Sequence, residues 1–408
     1  MKLNTALSAS PADAADSSRF ISASGSAHFI FSGGGTGGHL YPGIAVAEEL
    51  QNHYGHALKI TWAATDRPID RHLLSGFGDD YVRQPVQPVS ARPLQWLGFY
   101  NAWRKSCAHW AAFFTSHRVD AVLALGGYAA APAAYVGVKR GIPVGLLNPD
   151  ALPGRANRFL LHRVTRVFSQ WPIDALPAST QQVTGCPIRA ALRKLPTRDQ
   201  AINRLSLNPN RSVLVVTGAS LGARTVNEAL VKLLANPEFL SVLSQPVDGR
   251  VGWQILHLAG KDQGPQLRKL DIYRSGLPWV VLDYCDDMAA VWAAADLAIS
   301  RSGAGACAEI TACGVPAVLM PYPFHRDRHQ QVNAARLCEH GAAVMVIDVD
   351  HADKNAAELL GILRRLMHNT SVRQSMALAA KAIGHSDAAS MVANWLVSQV
   401  KLSSVVQH

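Results

Sequence analysis

An α/β architecture with two doubly wound parallel-sheet domains is what the sequence predicts, and three observations carry it. Short β-rich apolar runs alternate with helical stretches along the chain, the pattern of parallel strands covered on both faces. One strand in each half runs into a glycine-containing loop that opens a helix: Phe31-Ser32-Gly33-Gly34-Gly35-Thr36-Gly37-Gly38-His39, and Val216-Thr217-Gly218-Ala219-Ser220-Leu221-Gly222. The length of 408 residues suits two domains, each with its own core.

The candidate strands of the first half are His28–Ser32, Lys59–Ala63, Ala121–Leu125 and Pro143–Leu147. Those of the second are Ser212–Thr217, Gln254–Leu258, Val280–Leu282, Leu297–Ile299 and Ala317–Met320. Helical patterns start near Leu40 and from Ala223. Pro187, Pro196 and Pro209 interrupt the pattern between the halves. The expected organisation is a flexible tail over 1–27, a first domain over 28–190, a linker over 191–210 and a second domain over 211–385. A last helix within 386–408 could pack back on the first domain. In open sheets of this kind, ligands bind beyond the carboxyl ends of the strands, where both glycine loops lie. Two Rossmann-like domains facing across a cleft are therefore expected.

Composition narrows the function class. Hydrophobic residues make up 49% and charged residues 17%, which is globular rather than disordered. No apolar run reaches the ~18 residues of a membrane span. The first 27 residues lack the apolar core of a secretory signal. The six cysteines include no C-x-x-C pair, so neither a metal site nor a disulfide scaffold is expected, and a reducing cytoplasm fits. The net charge of +10 is concentrated. From Arg83 to Arg166 eleven Lys and Arg face only Asp120 and Asp150. Such a block suits an anionic partner: a membrane surface, a nucleic acid or a phosphorylated substrate.

The first glycine loop holds five glycines in a six-residue run. Glycine lets the backbone approach a ligand and accepts positive φ. A strand, a glycine turn and a helix N-terminus together make an anion site. Gly33-x-Gly35-x-x-Gly38 also fits a dinucleotide fingerprint, so a nucleotide cofactor and another phosphate ligand both remain open. His39 stands at the mouth, where an imidazole can act as a base.

In the second half, Ser300-Arg301-Ser302-Gly303-Ala304-Gly305-Ala306 follows a strand and opens a helix that carries Glu309. That helix start suits a pyrophosphate. Glu309 is placed to accept hydrogen bonds from a ribose diol. Pro321-Tyr322-Pro323-Phe324 and His325-Arg326-Asp327-Arg328-His329-Gln330-Gln331-x-Asn333 then set polar groups at a strand end, where sugar hydroxyls could be read. Trp96, Trp103 and Trp110 recur every seven residues, with Tyr100, Cys107 and Phe114 between them and Arg92, Arg104, Lys105 and Arg118 around them. The stripe reads either as a face packed on the sheet or as a seat on an anionic lipid surface.

Several motifs in order then carry a resemblance. They are Gly34-Gly35-Thr36-Gly37-Gly38-His39-x-x-Pro42, Gly126-Gly127-Tyr128, Thr184-Gly185-x-Pro187-x-Arg189 and Asp286-Asp287-Met288. Ser300-Arg301-Ser302-Gly303-Ala304 with Glu309, and Asp327-Arg328-x-Gln330-x-x-Asn333, complete them. From about His28 to the C-terminal region the chain resembles the MurG family, bacterial N-acetylglucosaminyltransferases of peptidoglycan synthesis with the GT-B fold.

The resemblance implies an inverting hexosyltransferase that moves GlcNAc from UDP-GlcNAc to the MurNAc C4 hydroxyl of lipid I, giving lipid II. It implies a donor held by the C-terminal domain and a polyprenyl-pyrophosphate-linked acceptor met by the N-terminal domain. It places the protein in the cytoplasm, peripheral on the inner membrane face. Neither cofactor, metal nor nucleic acid is expected. His39 would aid acceptor activation, and Thr36, Gly37 and Gly38 would belong to a donor-contacting loop. Arg189 and Ser220 would meet the donor around its phosphates, Cys285 the uracil through its backbone, and Glu309 the ribose. Ala304, Gly305 and Ala306 would line the nucleotide site and Gln330 would read the sugar. Gly127 and Tyr128 would lie on the acceptor side.

Four departures from the family pattern cluster around this proposed site. Leu147-Asn148-Pro149-Asp150 replaces His-Glu-Gln-Asn, so Asp150 stands where an asparagine meets the donor. Leu221 replaces a glutamine, His329 replaces the first of two glutamines, and Gly305-Ala306 replaces Leu-Thr. A transferase with another UDP-sugar or acceptor, and a binding protein of this fold without turnover, are the neighbouring readings. An NAD-dependent oxidoreductase would need an acid about 20 residues past the first loop. Asp66 lies later than that.

Overall fold

β-Branched and aliphatic residues fill the strand centres, and the strands they form are buried on both faces, as parallel strands between helix layers must be. Val213, Leu214, Val215 and Val216 are all fully buried. The computed structural model describes residues 27–55, 58–77, 81–87, 96–218, 222–324 and 327–405. All of the tail expected over 1–27 except Ala27 lies outside them. Ala27 itself opens the first strand.

The chain divides into two compact units. Among the described residues, the first unit holds the chain up to Pro149, Pro153–Arg189 and everything from Asp387 on. Its seven strands are β1 (Ala27–Gly33), β2 (Leu58–Ala64), β3 (Tyr81–Arg83), β4 (Ala121–Gly126), β5 (Val144–Asn148), β6 (Arg166–Ser169) and β7 (Gln181–Val183). They pair in the order β3-β2-β1-β4-β5-β6-β7, every pair parallel. The order reverses between β1 and β4, the switch point where ligand crevices form in doubly wound sheets. The β1–β4 register also shifts there, between Ser32 and Gly33.

The second unit holds Asp150–Leu152 and Ala190–Ser386. Its strands are β8 (Ser212–Thr217), β9 (Trp253–Leu258), β10 (Trp279–Leu282), β11 (Leu297–Ser300), β12 (Ala317–Leu319) and β13 (Ala343–Met345). They pair in the order β10-β9-β8-β11-β12-β13, again all parallel, with the reversal between β8 and β11. Both units are thus Rossmann-like and doubly wound, as the alternating pattern predicts. One apolar core lies on each face of the first sheet. The second sheet packs on the helices Arg224–Leu234 and Ala352–His368.

The stretch expected as a linker, 191–210, is instead part of the second unit. It carries the helices Ala190–Arg193 and Arg198–Arg204. Leu192, Ala201 and Ile202 are buried, and Thr197 caps the second helix through a capping box with Gln200. The prolines there mark element ends, since the ring ends a helix without breaking a domain. Cys186, Cys307 and Cys313 are buried small residues. Burial pushes the Cys313 thiol up to about 12, so it stays protonated and unreactive.

The last helix, Ala388–Val405, lies against the first sheet and the helix Gly37–Tyr54. Val392, Leu396 and Val400 enter the core, and Trp395 meets Phe168 edge-on. Gly145 makes room for Trp395, because a Cβ atom there would fall 2.8 Å from its ring. Ser390 also bonds the buried Glu49 carboxylate. Leu396→Ala is expected to lower the stability of the first unit by about 2–5 kcal/mol. Urea unfolding of the purified variant measures it.

Candidate functional site

In the first unit the glycine run bends sharply out of β1. Gly34 and Gly35 have φ of 147° and 86°. The helix Gly37–Tyr54 starts at once, three residues earlier than the apolar pattern suggests. Thr36 precedes it in an extended conformation and gives its N–H groups no side-chain cap. Those uncapped donors, at the positive end of an 18-residue helix, favour an anion.

The Thr36 hydroxyl turns instead to His39, with Oγ1 3.0 Å from Nδ1. When Nδ1–H donates in this bond, Nε2 keeps its lone pair and can take a proton. The imidazole is half-buried and rests on the Gly126-Gly127 turn that ends β4. A Cβ atom on Gly127 would sit 2.8 Å from His39 Cε1, and Gly127 also has φ of 73°. The structure therefore brings together Thr36, His39, Gly127 and, opposite Gly35, the Tyr128 hydroxyl. Gln84 ties the turn down from behind. It donates to Ala63 and Ala129 carbonyls and accepts from Trp110 Nε1 at 2.8 Å. Arg189, at the end of this unit, lies over the Tyr41 ring at 5.5 Å.

In the second unit, β11 runs into the helix Ala304–Cys313. Gly303 precedes it without a side-chain cap. Gly303 and Gly305 face open space, and Ala304, Gly305 and Ala306 are half-exposed. This is the room and polarity a pyrophosphate needs. Glu309, in the second turn, accepts from Trp292 Nε1 at 2.8 Å. The indole thus fixes the carboxylate that sequence reasoning assigns to a ribose. Gln330 accepts the Tyr322 N–H at 2.9 Å and its carbonyl receives the Ser302 hydroxyl at 2.8 Å. Asn333 is buried and bridges three residues. Its amide donates to Asp150 Oδ1 at 2.9 Å and to the Ser302 carbonyl, and it accepts the Ala151 N–H. His329 pairs with Asp327 at 2.9 Å and stands 4.0 Å from Asp150.

The structure separates some of the remaining candidates from these clusters. Arg301 does not serve the phosphate turn in which it stands. It is buried and donates to the Met320 and Pro321 carbonyls, to Thr225 and to Asp348. Burial alone would raise the Asp348 carboxyl. Bonds from Thr225, the Asp350 N–H, Arg301 and Asn355 outweigh that and hold it below the usual carboxylate range. Asp287 caps the helix Met288–Ala294 through the Ala290 N–H, and Cys285 is half-buried just before it. Asp66 is exposed and paired with Arg71 and Arg83, which uses up the acid a dinucleotide ribose would need. Ser220 and Leu221 lie outside the described residues.

The tryptophan stripe divides. Trp110 is fully buried and Trp103 is half-buried against Tyr135 and Phe159. Trp96, Leu97 and Tyr100 are exposed by 56%, 75% and 55%. Among the described residues no helix is long and apolar enough to cross a membrane.

Sequence reasoning missed the buried Asp70, which grips the first glycine loop through the Gly35 N–H. The signal available was Pro68 opening a helix with Asp70 in its first turn.

Two family models match the chain. One describes the glycosyltransferase family 28 N-terminal domain, over residues 29–169, and the other the glycosyltransferase family 28 C-terminal domain, over residues 213–392. A UDP-N-acetylglucosamine--N-acetylmuramyl-(pentapeptide) pyrophosphoryl-undecaprenol N-acetylglucosamine transferase of Nitratidesulfovibrio vulgaris is 31% identical, over 91% of this chain and 97% of its own length. A protein of the same description from Halorhodospira halophila is 34% identical over 88% and 95%. The solved structure of Acinetobacter baumannii MurG matches with a TM-score of 0.69 and 27% identity, over 91% of this chain and 99% of that one.

Asp348→Asn is expected to leave the Arg301 guanidinium buried without its counter-charge, at about 3–5 kcal/mol. The depressed Asp348 carboxyl stabilises fully above the unfolded value of about 3.9 and loses its effect as pH falls through its lower folded value. Denaturant unfolding of both proteins between neutral and acid pH checks this. The gap between wild type and variant is expected to close on the acid side.

Proposed function

The chain belongs to glycosyltransferase family 28, and we propose that it transfers GlcNAc from UDP-GlcNAc to the MurNAc C4 hydroxyl of lipid I, with inversion, to make lipid II. The observation that carries this reading is a pair of helix N-termini without side-chain caps, one in each unit. The first has His39 mounted on a glycine turn, and the second has Glu309 fixed by Trp292.

The chemistry follows from those groups. The acceptor hydroxyl attacks the anomeric carbon from the face opposite UDP. His39 Nε2 takes its proton as the new bond develops. Negative charge grows on the departing pyrophosphate. The N–H groups at Ala304–Ala306, with Arg189 and Ser220, are assigned to it. Such preorganised donors contribute about 3–4 kcal/mol each in well-defined sites. Glu309 holds the ribose, Gln330 reads the sugar and the Cys285 backbone meets the uracil. Thr36, Gly37 and Gly38 present N–H groups to phosphate, and Gly127 and Tyr128 face the acceptor. The UDP-sugar enters as substrate, and no step in this scheme calls on a metal or cofactor.

Exposed Trp96, Leu97 and Tyr100 support a peripheral site on the inner, anionic face of the membrane. Arg104 lies 5.9 Å over the Tyr100 ring, Lys105 is exposed beside it, and Arg163 lies over Phe159. Aromatic and aliphatic groups enter the headgroup region while the cations meet lipid phosphates.

Transfer assays with labelled UDP-GlcNAc and a lipid I analogue test the reaction. UDP-GalNAc and UDP-glucose serve as competing donors, because Asp150 and His329 alter the polar groups beside Gln330. GlcNAc transfer is expected. Donor binding without product would leave a binding protein. His39→Ala is expected to lower kcat by about 10²–10⁴-fold with a small change in donor KM. Glu309→Gln is expected to raise donor KM with a smaller effect on kcat, and it keeps an acceptor for Trp292 that alanine would remove. In a separate measurement, replacing Trp96 and Leu97 by serine is expected to weaken co-sedimentation with anionic vesicles while leaving transfer to a water-soluble acceptor analogue intact.

A further inference from the structure

Gly33, Gly34 and Gly35 have no side chains with which to hold the first loop's shape. Gly34 and Gly35 sit at positive φ, and glycine loses more conformational freedom on ordering than any other residue. The order comes from one short element, Arg67-Pro68-Ile69-Asp70. Pro68 opens the helix Pro68–Leu74, Arg67 precedes it in an extended conformation, and Asp70 falls in the first turn.

Asp70 is fully buried. Both of its carboxylate oxygens lie 2.9 Å from the Gly35 N–H. Oδ2 also accepts the Thr65 N–H at 3.1 Å and the Thr65 hydroxyl at 2.6 Å. The approach is close enough that a Cβ atom on Gly34 would fall 2.4 Å from Asp70 Oδ2. From the other side Arg67 Nη1 donates to the Gly35 carbonyl at 2.9 Å. Gripping both the N–H and the C=O of one residue fixes two successive peptide planes. Those planes set the direction in which the chain enters Thr36. The Thr36 carbonyl accepts the His39 N–H, and the Thr36 hydroxyl meets the His39 ring.

We propose that Arg67 and Asp70 are positioning residues for the transfer reaction. They clamp Gly35 and so hold Thr36 and His39 in register with the Gly126-Gly127 turn. The inference rests on the glycosyltransfer reading given above. The grip itself is independent of it. Arg67 is exposed, so its loss need not disturb the core, whereas Asp70 is enclosed.

The test uses the full chain. Arg67→Ala is expected to lower kcat about ten- to a hundredfold, the range for a displaced reacting group. Tm is expected to stay at its wild-type value, and KM for UDP-GlcNAc is expected to change less than kcat. Arg67→Lys, which keeps a donor within reach of the Gly35 carbonyl, is expected to recover part of the rate. In a His39→Ala background, Arg67→Ala is expected to cost little more, because both changes remove the same positioned imidazole. Hydrogen exchange in a peptide spanning Gly33–His39 is expected to quicken in Arg67→Ala and, where it folds, in Asp70→Asn.

Unchanged exchange in that peptide overturns the clamp whatever the activity. Unchanged kcat in Arg67→Ala overturns the positioning role. A rise in donor KM at constant kcat also overturns it, since the clamp would then serve only the donor-contacting residues Thr36, Gly37 and Gly38. If wild type makes no product from any UDP-sugar, the glycosyltransfer reading and the positioning role fail together, while the exchange data still decide the clamp.

Discussion

At the end of β1 and in the loop after β8 the chain passes so close to its neighbours that a Cβ atom would find no room. At the end of β1 a Cβ on Gly33 would lie 2.6 Å from Leu125. After β8 the equivalent atom on Gly222 would lie 2.3 Å from the Ala259 carbonyl oxygen. Packing this tight sets each segment against a neighbouring strand, β4 in the first unit and the chain leaving β9 in the second. The helices that follow, Gly37–Tyr54 and Arg224–Leu234, start without a side-chain cap. The partial positive charge of their first N–H groups can be answered by a ligand phosphate.

Turns built from glycine need support from elsewhere, and buried polar groups supply it. Gln84 joins the end of β2, the turn after β4 and Trp110. Asp70 joins the segment after β2 to the loop after β1. Arg301 and Asp348 join the turn after β11 to the chain leaving β12 and to Thr225 in the helix Arg224–Leu234. Each bridges segments distant in sequence, and each carries several hydrogen bonds that offset its desolvation. The apolar cores hold helices on sheets. These bridges hold the loops to one another, and the loops carry the candidate site residues.

This division of labour explains what could be read from the sequence. Apolar runs such as Val213–Val216 mark central strands, because a strand covered on both faces must be apolar throughout. Strands β3, β6, β7 and β13 are three or four residues long, and several of their residues are polar or half-exposed, as in Gln181-Gln182-Val183. Equally short β10, β11 and β12 could be read because they are apolar and follow helical stretches, whereas a short run of mixed polarity does not separate strand from loop. The seven-residue spacing of Trp96, Trp103 and Trp110 announces one helix face. Only the extent of the neighbouring cover decides that Trp110 is core and Trp96 is not. His39, the glycine turns and Glu309 could be singled out as candidates because motif and strand end coincide. Asp70 was not, since its partners lie 5 and 35 positions away and a single aspartate has no periodicity.

Asp150 and His329 show how two departures from the family pattern can be one physical change. A carboxylate in place of an amide adds charge and removes donors, so it needs a partner that can donate. Asn333 donates to one oxygen, and its own carbonyl holds the following Ala151 N–H, so the segment stays pinned despite the substitution. The other oxygen faces the His329 ring at 4.0 Å, beyond hydrogen-bond length but within strong electrostatic range. Asp327 takes the opposite ring nitrogen at 2.9 Å. A glutamine at position 329 could offer a hydrogen bond but no charge to set against two carboxylates. A protonated imidazole offers both, an N–H donor and a positive charge. In that form the base at 329 would offset the acid at 150, beside the Gln330 side chain that accepts the Tyr322 N–H.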